Sequence, residues 1–530
     1  MAGGGFGRRG LLRAAAFGVA AGAGRGAFAQ AGVSGGVGPR PGAVLRIAQV
    51  GPAGRVDAVT AADTGALVLL QQAAEFLVLD GADGVLRPML AEAWAPNADG
   101  SVWEFVLREG VRFHSGRVLR AADVAATMNR LADPAAGSNA LSVFRGVLSP
   151  GGAVAVDERT VRFTLDAPNG GFPNCVSSDN YNAVILPEGE ARAFAPVEAD
   201  GAGFDGTGPF RLAQYVPQSG CVFVRNEAWW GGEVLPERLE FTFHADQQPQ
   251  VLAMQGGEAD LMQQLVVQGG QALLDDARFS HIAIRSTAQR LVHMRCDRGP
   301  FADRRVRQAM ALAVDRAGIV AGPFRGLAQE GNDSPFAPSL AVTDPGVGQR
   351  ARDVGRARAL MAEAGLSAGV DAVLVTEQLF EVADYAAILA SEAAEVGIRL
   401  RLRVEDVGAY YGAATFGRSD WLDSDIGITD YGHRGTPDVM LQATLRSGGA
   451  WNASRFADPA FDALAARFVG ALEPEARRGL AGALQRLLLE ETPAITAYFY
   501  DYLVPMRAGL AGVEATAQAQ LFLARAGFVA

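Results

Sequence analysis

The most regular hydrophobic pattern in the chain runs from residue 382 to residue 405. The apolar-rich stretch 382–396 has the length of a helix and is followed by Gly397, a residue type common just after a helix C-terminus. Beyond it, charged side chains alternate with apolar ones at Ile398, Leu400, Leu402 and Val404. Strict alternation is typical of a half-buried strand. The segment therefore predicts a helix followed directly by a strand.

The same two patterns recur along most of the chain. Alternation predicts strands at residues 44–48, at 103–107 with a continuation at 111–113, at 221–225 and at 239–243. Apolar spacings of three and four predict helices at 64–76, from Asp123 onward, at 249–255, from an N-cap at Asp303 to Val314, at 459–468 and at 474–491. Because 530 residues exceed one compact core, we expect at least two lobes. The mixture of β-rich and βα-type segments predicts an α/β protein.

The first residues have the features of an export signal. Arg8 and Arg9 are followed by two leucines and Arg13, which resembles the twin-arginine motif. Ala27 and Ala29 are the small residues that suit cleavage before Gln30. The apolar stretch between them is much shorter than the ~20 residues of a membrane-spanning helix. We therefore expect a signal peptide at 1–29, a Gly/Pro-rich linker at 30–43, and a periplasmic protein. No cysteine follows the leader, so we do not expect a lipoprotein.

Composition narrows the possible chemistry. All 47 basic residues are arginine, which excludes a phosphate-binding loop that needs lysine and a Schiff-base lysine. The net charge of −11 disfavours nucleic acid as a partner. The chain has three scattered cysteines and five histidines without metal-site spacing, so we predict no metal, no cofactor and no catalytic residue. One GxSxG match at 32–36 lies in the linker, without the strand and helix that a nucleophilic serine needs.

Several short motifs occur in a characteristic order. They are RPMLAEAW at 87–94, DG at 99–100, WEFVLR at 103–108, GVRFHSG at 110–116, AADV at 121–124, GTGPF at 206–210, RN at 225–226 with WW at 229–230, GEAD at 257–260, PFADRRVRQA at 300–309 and AVDR at 313–316. Together they resemble the extracytoplasmic solute-binding proteins of the peptide/nickel ABC importer class, over residues 44–505.

The resemblance implies a two-lobed periplasmic-binding-protein-like α/β fold with a hinge and an inserted subdomain in the first lobe. Lobe I would comprise 44–72, 205–288 and 497–530, the inserted subdomain 73–204, and lobe II 289–496. It also implies a monomer that captures a small molecule or peptide between its lobes. The loaded receptor would then deliver that ligand to ABC permease subunits in the inner membrane.

The segment at 421–438 is the candidate ligand site. In peptide-binding relatives this region carries an aspartate that pairs with the α-amine of the peptide, and Asp430 matches that position better than Asp425 does. A carboxylate in a water-poor cleft suits an ammonium group. Nearby residues that could stack on the ligand, hold its carboxylate or line the cleft are Trp421, Tyr431, His433, Arg434 and Trp451. Where the family often has a tryptophan before the aspartate, this chain has Ile428.

Other functions stay open at this point. The same fold could serve a sensor or chemoreceptor and feed no transporter, and a secreted hydrolase is a second alternative. The ligand itself is undetermined, because peptides, opine-like compounds, sugars and nickel all bind to this fold. Few histidines disfavour nickel.

Overall fold

The structure is a computed structural model that describes residues 38–189, 193–195 and 204–529. The predicted signal peptide, most of the predicted linker and the GxSxG match lie outside these residues. The described chain divides into two compact units. Unit 1 holds the residues up to 265 together with 272–282 and 503–529, and unit 2 holds 266–271 and 283–502. Unit 2 is thus longer than the range 289–496 expected for lobe II. At its C-terminal end it includes the whole strand Ala494–Tyr500, which belongs to its sheet.

The strands in chain order are β1 Val44–Val50, β2 Val78–Asp80, β3 Leu86–Pro88, β4 Ala91–Pro96, β5 Val102–Leu107, β6 Ala153–Ala155, β7 Thr160–Thr164, β8 Phe210–Val216, β9 Gly220–Arg225, β10 Arg238–His244, β11 Leu261–Met262, β12 Phe279–Ile284, β13 Gln289–Met294, β14 Ala328–Glu330, β15 Val370–Glu377, β16 Ile398–Glu405, β17 Ile426–Tyr431, β18 Ala494–Tyr500, β19 Tyr502–Arg507, β20 Leu510–Ala511, β21 Glu514–Ala515, β22 Leu521–Phe522 and β23 Gly527–Phe528.

The α-helices are α1 Thr64–Ala73, α2 Ala121–Ala132, α3 Leu141–Phe144, α4 Phe172–Cys175, α5 Gln247–Gly256, α6 Gln271–Leu274, α7 Arg304–Ala313, α8 Arg316–Ala321, α9 Val354–Glu363, α10 Val382–Ala394, α11 Val407–Tyr411, α12 Asp420–Asp423, α13 Pro459–Gly470 and α14 Pro474–Glu491. Short 3₁₀ turns occur at Pro134–Ala136 and Pro300–Ala302, and a π-helical turn at Met440–Leu445. Within the described part of the chain, no helix is long and apolar enough to cross a membrane.

Unit 1 is built on a seven-stranded sheet in the order β12-β19-β11-β1-β10-β9-β8. Its central strand β1 pairs in parallel with both β10 and β11, while β19 returns from the C-terminal region and lies between β12 and β11. A separate four-stranded sheet, β4-β5-β7-β6, lies between α1 and β8 in the sequence.

Unit 2 is built on a six-stranded sheet in the order β14-β18-β13-β17-β15-β16. Strand β13 pairs antiparallel with β17 on one side and with β18 on the other, so its six residues are all buried. Helix α10 connects the parallel pair β15 and β16, as a crossover between parallel strands requires. Apolar side chains fill both faces of the sheet, with Ile428 in the core on one face and Leu291 in the core on the other.

The structure confirms the predicted fold class and differs from the prediction in the bounds of some helices and strands. The α/β class and the helix–strand unit at 382–405 are confirmed. Residues 111–113 do not continue a strand, because Arg112 makes only an isolated bridge with Val118. Asp123 does not begin α2 but is its third residue, where its carboxylate accepts a hydrogen bond from the backbone N–H of Arg120 at 2.9 Å. Val314 lies just beyond α7 with an extended backbone.

Candidate functional site

The predicted site residues lie in unit 2, on and around β17. Asp430 and Tyr431 are the last two residues of that strand, and His433 and Arg434 follow it. Successive side chains of a strand point to opposite faces of the sheet. The structure therefore places Asp430 on one face and Tyr431 on the other.

Asp430 faces a buried arginine on the neighbouring strand. Arg290 of β13 lies directly opposite it in the antiparallel register, and its Nη1 donates to Oδ1 of Asp430. The hydroxyl of Tyr500 donates to the same oxygen at 3.1 Å. The Asp430 side chain keeps 24% of its surface exposed, against 2% for Arg290. The aspartate is thus the solvent-facing end of this ion pair.

Arg290 also contacts a second carboxylate. Its Nε lies 2.9 Å from Oε1 of Glu381, and its Nη2 donates to Oε2 of Glu381 at 3.2 Å. The Tyr498 hydroxyl donates to Glu381 at 3.1 Å, and the guanidinium lies 4.4 Å from the centre of the Tyr500 ring. One guanidinium is shared by two carboxylates, which leaves an excess of negative charge beside Asp430.

Glu377, at the end of β15, adds a third carboxyl group. Its Oε1 accepts hydrogen bonds from the backbone N–H of Asp430 at 3.1 Å and from the hydroxyl of Tyr411 at 3.0 Å. Its Oε2 is buried and has no hydrogen-bond partner among the described residues. Burial raises the pKa of Glu377, and the nearby charge of Asp430 raises it further.

The pKa of Asp430 is raised as well. Burial is the largest cause, and it outweighs the opposing effects of the Arg290 charge and the Tyr500 hydrogen bond. This carboxylate is therefore incompletely compensated by its present partners, and an additional positive group beside it would stabilise its charged form.

An exposed aromatic ring stands next to the ion pair. Phe380 is 55% exposed, and the centre of its ring lies 6.0 Å from the Arg290 guanidinium carbon. Its backbone has φ of 43°, a conformation that is strained for a bulky residue. Strain of this kind concentrates at functional sites.

The predicted aromatic residues lie mainly in the core on the other face of the sheet. Trp421 of α12 is 4% exposed and packs against Tyr411 with ring centres 5.4 Å apart. Tyr431 is 9% exposed and lies 6.2 Å from the ring of Trp451. Packing accounts for the positions of these rings, and a contact with ligand stays a prediction for all three predicted aromatics.

Thr287 anchors the two residues after β17. Its backbone N–H donates to Nδ1 of His433 at 3.0 Å, which places the proton of a neutral imidazole on Nε2. The backbone N–H of Arg434 donates to the Thr287 hydroxyl at 2.8 Å, and that hydroxyl donates to the Arg434 carbonyl at 2.9 Å. The Arg434 guanidinium donates to the carbonyl of His433 at 2.7 Å. Among the described residues it has no carboxylate partner.

Sequence reasoning missed the residues that surround Asp430. These are Arg290, Glu377, Phe380, Glu381 and Tyr500. One signal was available, because Arg290 is a charged residue within the otherwise strand-like stretch 289–294. An arginine in such a strand needs a buried partner, although the sequence does not say which.

The chain is similar to several characterised solute-binding proteins. It is 24% identical over 434 residues to the heme-binding protein A of Haemophilus influenzae, covering 77% of this chain and 78% of that protein. It is 27% identical over 337 residues to the glutathione-binding protein GsiB of Escherichia coli K12, covering 61% and 62%.

Solved structures share the fold. HbpA2 from Haemophilus parasuis superposes with a TM-score of 0.78 at 21% identity, covering 92% of this chain and all of that one. The periplasmic binding protein DppA from Helicobacter pylori, in complex with the peptide STSA, has a TM-score of 0.71 at 20% identity and covers 92% and 98%.

A family model described as "Bacterial extracellular solute-binding proteins, family 5 Middle" matches residues 85–452. This match spans both units and includes Asp430 with its partners Arg290 and Glu381. The names of these relatives describe binding proteins. The chain belongs to the bacterial extracellular solute-binding proteins of family 5.

Proposed function

We propose that the chain is the receptor of an ABC importer and captures an amine-bearing solute, such as a peptide, outside the cytoplasm. One observation carries the choice of ligand. Asp430 is partly exposed at the edge of a network in which Arg290 is shared between two carboxylates. The excess negative charge favours a ligand that brings a positive group to this point.

An ammonium group fits the local surroundings of Asp430. It would donate to Oδ2 of the carboxylate while Oδ1 keeps its bonds to Arg290 and Tyr500. The exposed ring of Phe380 offers a face on which a cation is attracted by the aromatic quadrupole. A ligand without a cation would leave the carboxylate short of compensating charge, and this supports selection for amines.

We propose that Arg434 receives a carboxylate of the solute. Its backbone is held by two hydrogen bonds to Thr287, and its guanidinium has no carboxylate partner in the described part of the chain. A planar guanidinium binds a carboxylate through two parallel hydrogen bonds. An amine and a carboxylate in one ligand are the chemistry of a peptide or an amino-acid derivative.

The ligands that the relatives' names state differ in this chemistry. Glutathione and the peptide STSA each carry a free amine and at least one carboxylate, whereas heme has carboxylates and no amine. The network around Asp430 favours a ligand with a free amine for this chain.

The experiment compares free-amine ligands with their N-acetylated forms. Purified chain from residue 30 onward is titrated with dialanine, trialanine, glutathione, the three N-acetylated counterparts and heme, and binding is followed by thermal shift and calorimetry. We expect at least one free-amine compound to raise the melting temperature progressively with concentration. Its N-acetylated form should bind roughly tenfold to a hundredfold more weakly.

Asp430→Asn tests the residue itself, and Asp425→Asn is its matched control. Asp425 lies just before the same strand, is 44% exposed and pairs with Arg298 at 2.7 Å. We expect Asp430→Asn to weaken amine binding by roughly tenfold or more, and Asp425→Asn to leave it unchanged. Retained amine binding in Asp430→Asn, with normal circular dichroism, would contradict the assignment, as would preference for heme or for the acetylated forms.

We further propose that export uses the twin-arginine route through Arg8 and Arg9. Replacing both by lysine should then retain the precursor in the cytoplasm, measured by cell fractionation. Unchanged export of that variant would count against this route and would leave the binding proposal intact.

A further inference from the structure

A cavity of about 390 Å³ lies in unit 2 and has Glu381 in its wall. This volume falls within the roughly 300–1,000 Å³ that is usual for small-molecule sites. The wall is formed by α8 and the turn after it, by the first turns of α10, and by part of the segment 266–271. The lining residues that bear on its chemistry are Ile319, Phe324, Arg325, Asp384, Tyr385 and Ile388.

Glu381 connects this cavity with Asp430. The two carboxylates bind different edges of one guanidinium, because Arg290 uses Nη1 for Asp430 and Nε with Nη2 for Glu381. Tyr498 donates to Glu381, and its ring centre lies 4.4 Å from that of Phe324 in the cavity wall. The cavity therefore begins on the far side of the guanidinium that Asp430 contacts.

Negative charge exceeds positive charge in this part of unit 2. Asp384 is exposed in the first turn of α10 and has no hydrogen-bond or ion-pair partner among the described residues. The charged groups of the network and the cavity are the carboxylates of Glu377, Glu381, Asp384 and Asp430 and the guanidiniums of Arg290 and Arg325. When all four carboxyl groups are ionised, one ammonium at Asp430 still leaves one carboxylate without a counter-charge.

The rest of the cavity suits an aliphatic chain that ends in a polar group. Ile319 of α8, Ile388 of α10 and Phe324 contribute apolar surface to the wall. Tyr385 lines the same cavity and is 3% exposed, and its buried hydroxyl has no hydrogen-bond partner among the described residues. A phenolic oxygen can accept a hydrogen bond from an ammonium group.

We propose that this cavity is a subsite for a basic side chain of the lysine type, so that the preferred solute carries two positive groups. The inference rests on the proposed function, in which the α-amine of the solute pairs with Asp430. The second ammonium then meets Asp384 and the Tyr385 hydroxyl, while its methylene groups contact the apolar wall. A neutral chain of the same length gains only the apolar contacts, and an acidic chain is repelled by Asp384 and Glu381.

Dipeptides that differ in one side chain test the subsite. The purified chain from residue 30 onward is titrated by calorimetry with lysyl-alanine, norleucyl-alanine, Nε-acetyl-lysyl-alanine and glutamyl-alanine, all of which have a free α-amine. We expect lysyl-alanine to bind roughly tenfold more tightly than norleucyl-alanine and the Nε-acetylated peptide, because only its chain ends in a cation. Glutamyl-alanine should bind most weakly.

Asp384→Asn tests the carboxylate, and Glu475→Gln is its matched control. Glu475 is an exposed acid in the first turn of α14, in the same unit, and lies outside the cavity wall. We expect Asp384→Asn to reduce the preference for lysyl-alanine over norleucyl-alanine from roughly tenfold to about twofold, with unchanged affinity for norleucyl-alanine. Glu475→Gln should keep the full preference.

The outcomes separate this inference from the proposed function. Equal affinity for lysyl-alanine and norleucyl-alanine, tighter binding of glutamyl-alanine, or an undiminished preference in Asp384→Asn would overturn the subsite and leave the amine site intact. If none of the peptides binds, both assignments fail. If Nα-acetyl-lysyl-alanine binds as tightly as lysyl-alanine while the preference still depends on Asp384, the pairing at Asp430 fails and the cation subsite stands.

Discussion

Arg290 is charged, is only 2% exposed, and depends on Asp430 and Glu381 for compensation. Removing a buried partner leaves the opposite charges uncompensated, and this costs more than a surface ion pair contributes. We expect Arg290→Gln to lower the free energy of unfolding of unit 2 by about 3–5 kcal/mol, measured by thermal or urea denaturation.

Arg298→Gln is the control for that substitution. Arg298 pairs with the exposed Asp425 and is itself 52% exposed, so its loss should cost less than about 1 kcal/mol. Equal effects of the two substitutions would show that Arg290 is not compensated as described.

Single residues were the least predictable part of the site. Asp430 could be selected because the motif around it resembles a family pattern. Its partner Arg290 lies 140 positions away in the sequence, and Tyr500 lies 70 positions away. Such pairings follow from the order of strands in the sheet, which no local pattern specifies. The sequence also could not show that Trp421 and Tyr431 lie among core side chains.

At the level of elements, local periodicity was sufficient to predict a strand or helix where one of its faces is apolar. The alternation at 398–405 and the stretch before it correspond to β16 and α10. The pattern failed at residues 111–113, where alternation is present but a pairing strand is absent from the described residues around it. A strand needs a partner as well as an amphipathic sequence.

The pair β13–β17 contains a glycine that has no free space for a side chain. Gly427 lies opposite His293, and a Cβ added to it would lie 2.6 Å from Cε1 of that ring and 2.8 Å from the hydroxyl of Ser424. His293 is 2% exposed, so its ring can move aside only by displacing its neighbours. We expect Gly427→Ala to destabilise the protein by about 1–3 kcal/mol, measured as a loss of melting temperature.

Gly432→Ala is the comparison for Gly427→Ala. Gly432 lies just after the same strand, and the nearest atom to an added Cβ would be 3.9 Å away, at the end of the Arg434 side chain. Gly432→Ala should therefore leave the melting temperature unchanged. A stable Gly427→Ala variant would mean that His293 is less tightly enclosed than its contacts imply.

For the whole molecule, the two units should respond to pH in opposite directions. In unit 1, Glu75 accepts hydrogen bonds from the indoles of Trp229 and Trp230, and burial raises its pKa to about 7. In unit 2, burial lowers the pKa of His293 to about 4. In both groups burial shifts the equilibrium towards the neutral form.

The direction of each stability change depends on whether the folded or the unfolded chain binds the proton. Folded unit 1 keeps the Glu75 proton that the unfolded chain releases above its ordinary pKa of 4.5, so its stability falls as pH rises from about 4.5 to 7. His293 becomes protonated below pH 6.5 in the unfolded chain but stays neutral in folded unit 2 down to about pH 4. The stability of unit 2 therefore falls as pH drops from 6.5 towards 4. Each effect amounts to up to about 3 kcal/mol.

Calorimetric melts of the wild type, Glu75→Gln and His293→Gln between pH 4 and pH 8 measure these slopes. We expect Glu75→Gln to flatten the loss of stability as pH rises from about 4.5 to 7, and His293→Gln to flatten the loss as pH falls from 6.5 towards 4. Unchanged slopes in both variants would show that other groups control the pH response.

The position of β19 also constrains how the protein is made. This strand, Tyr502–Arg507, lies inside the sheet of unit 1 and separates β12 from β11. A ribosome has therefore produced unit 2 up to residue 501 before it begins the strand that completes unit 1. Until then the backbone N–H and C=O groups on that edge of β11 have no strand to pair with. Holdase chaperones and proteases would meet unit 1, and not unit 2, as the last part of the chain to become protected.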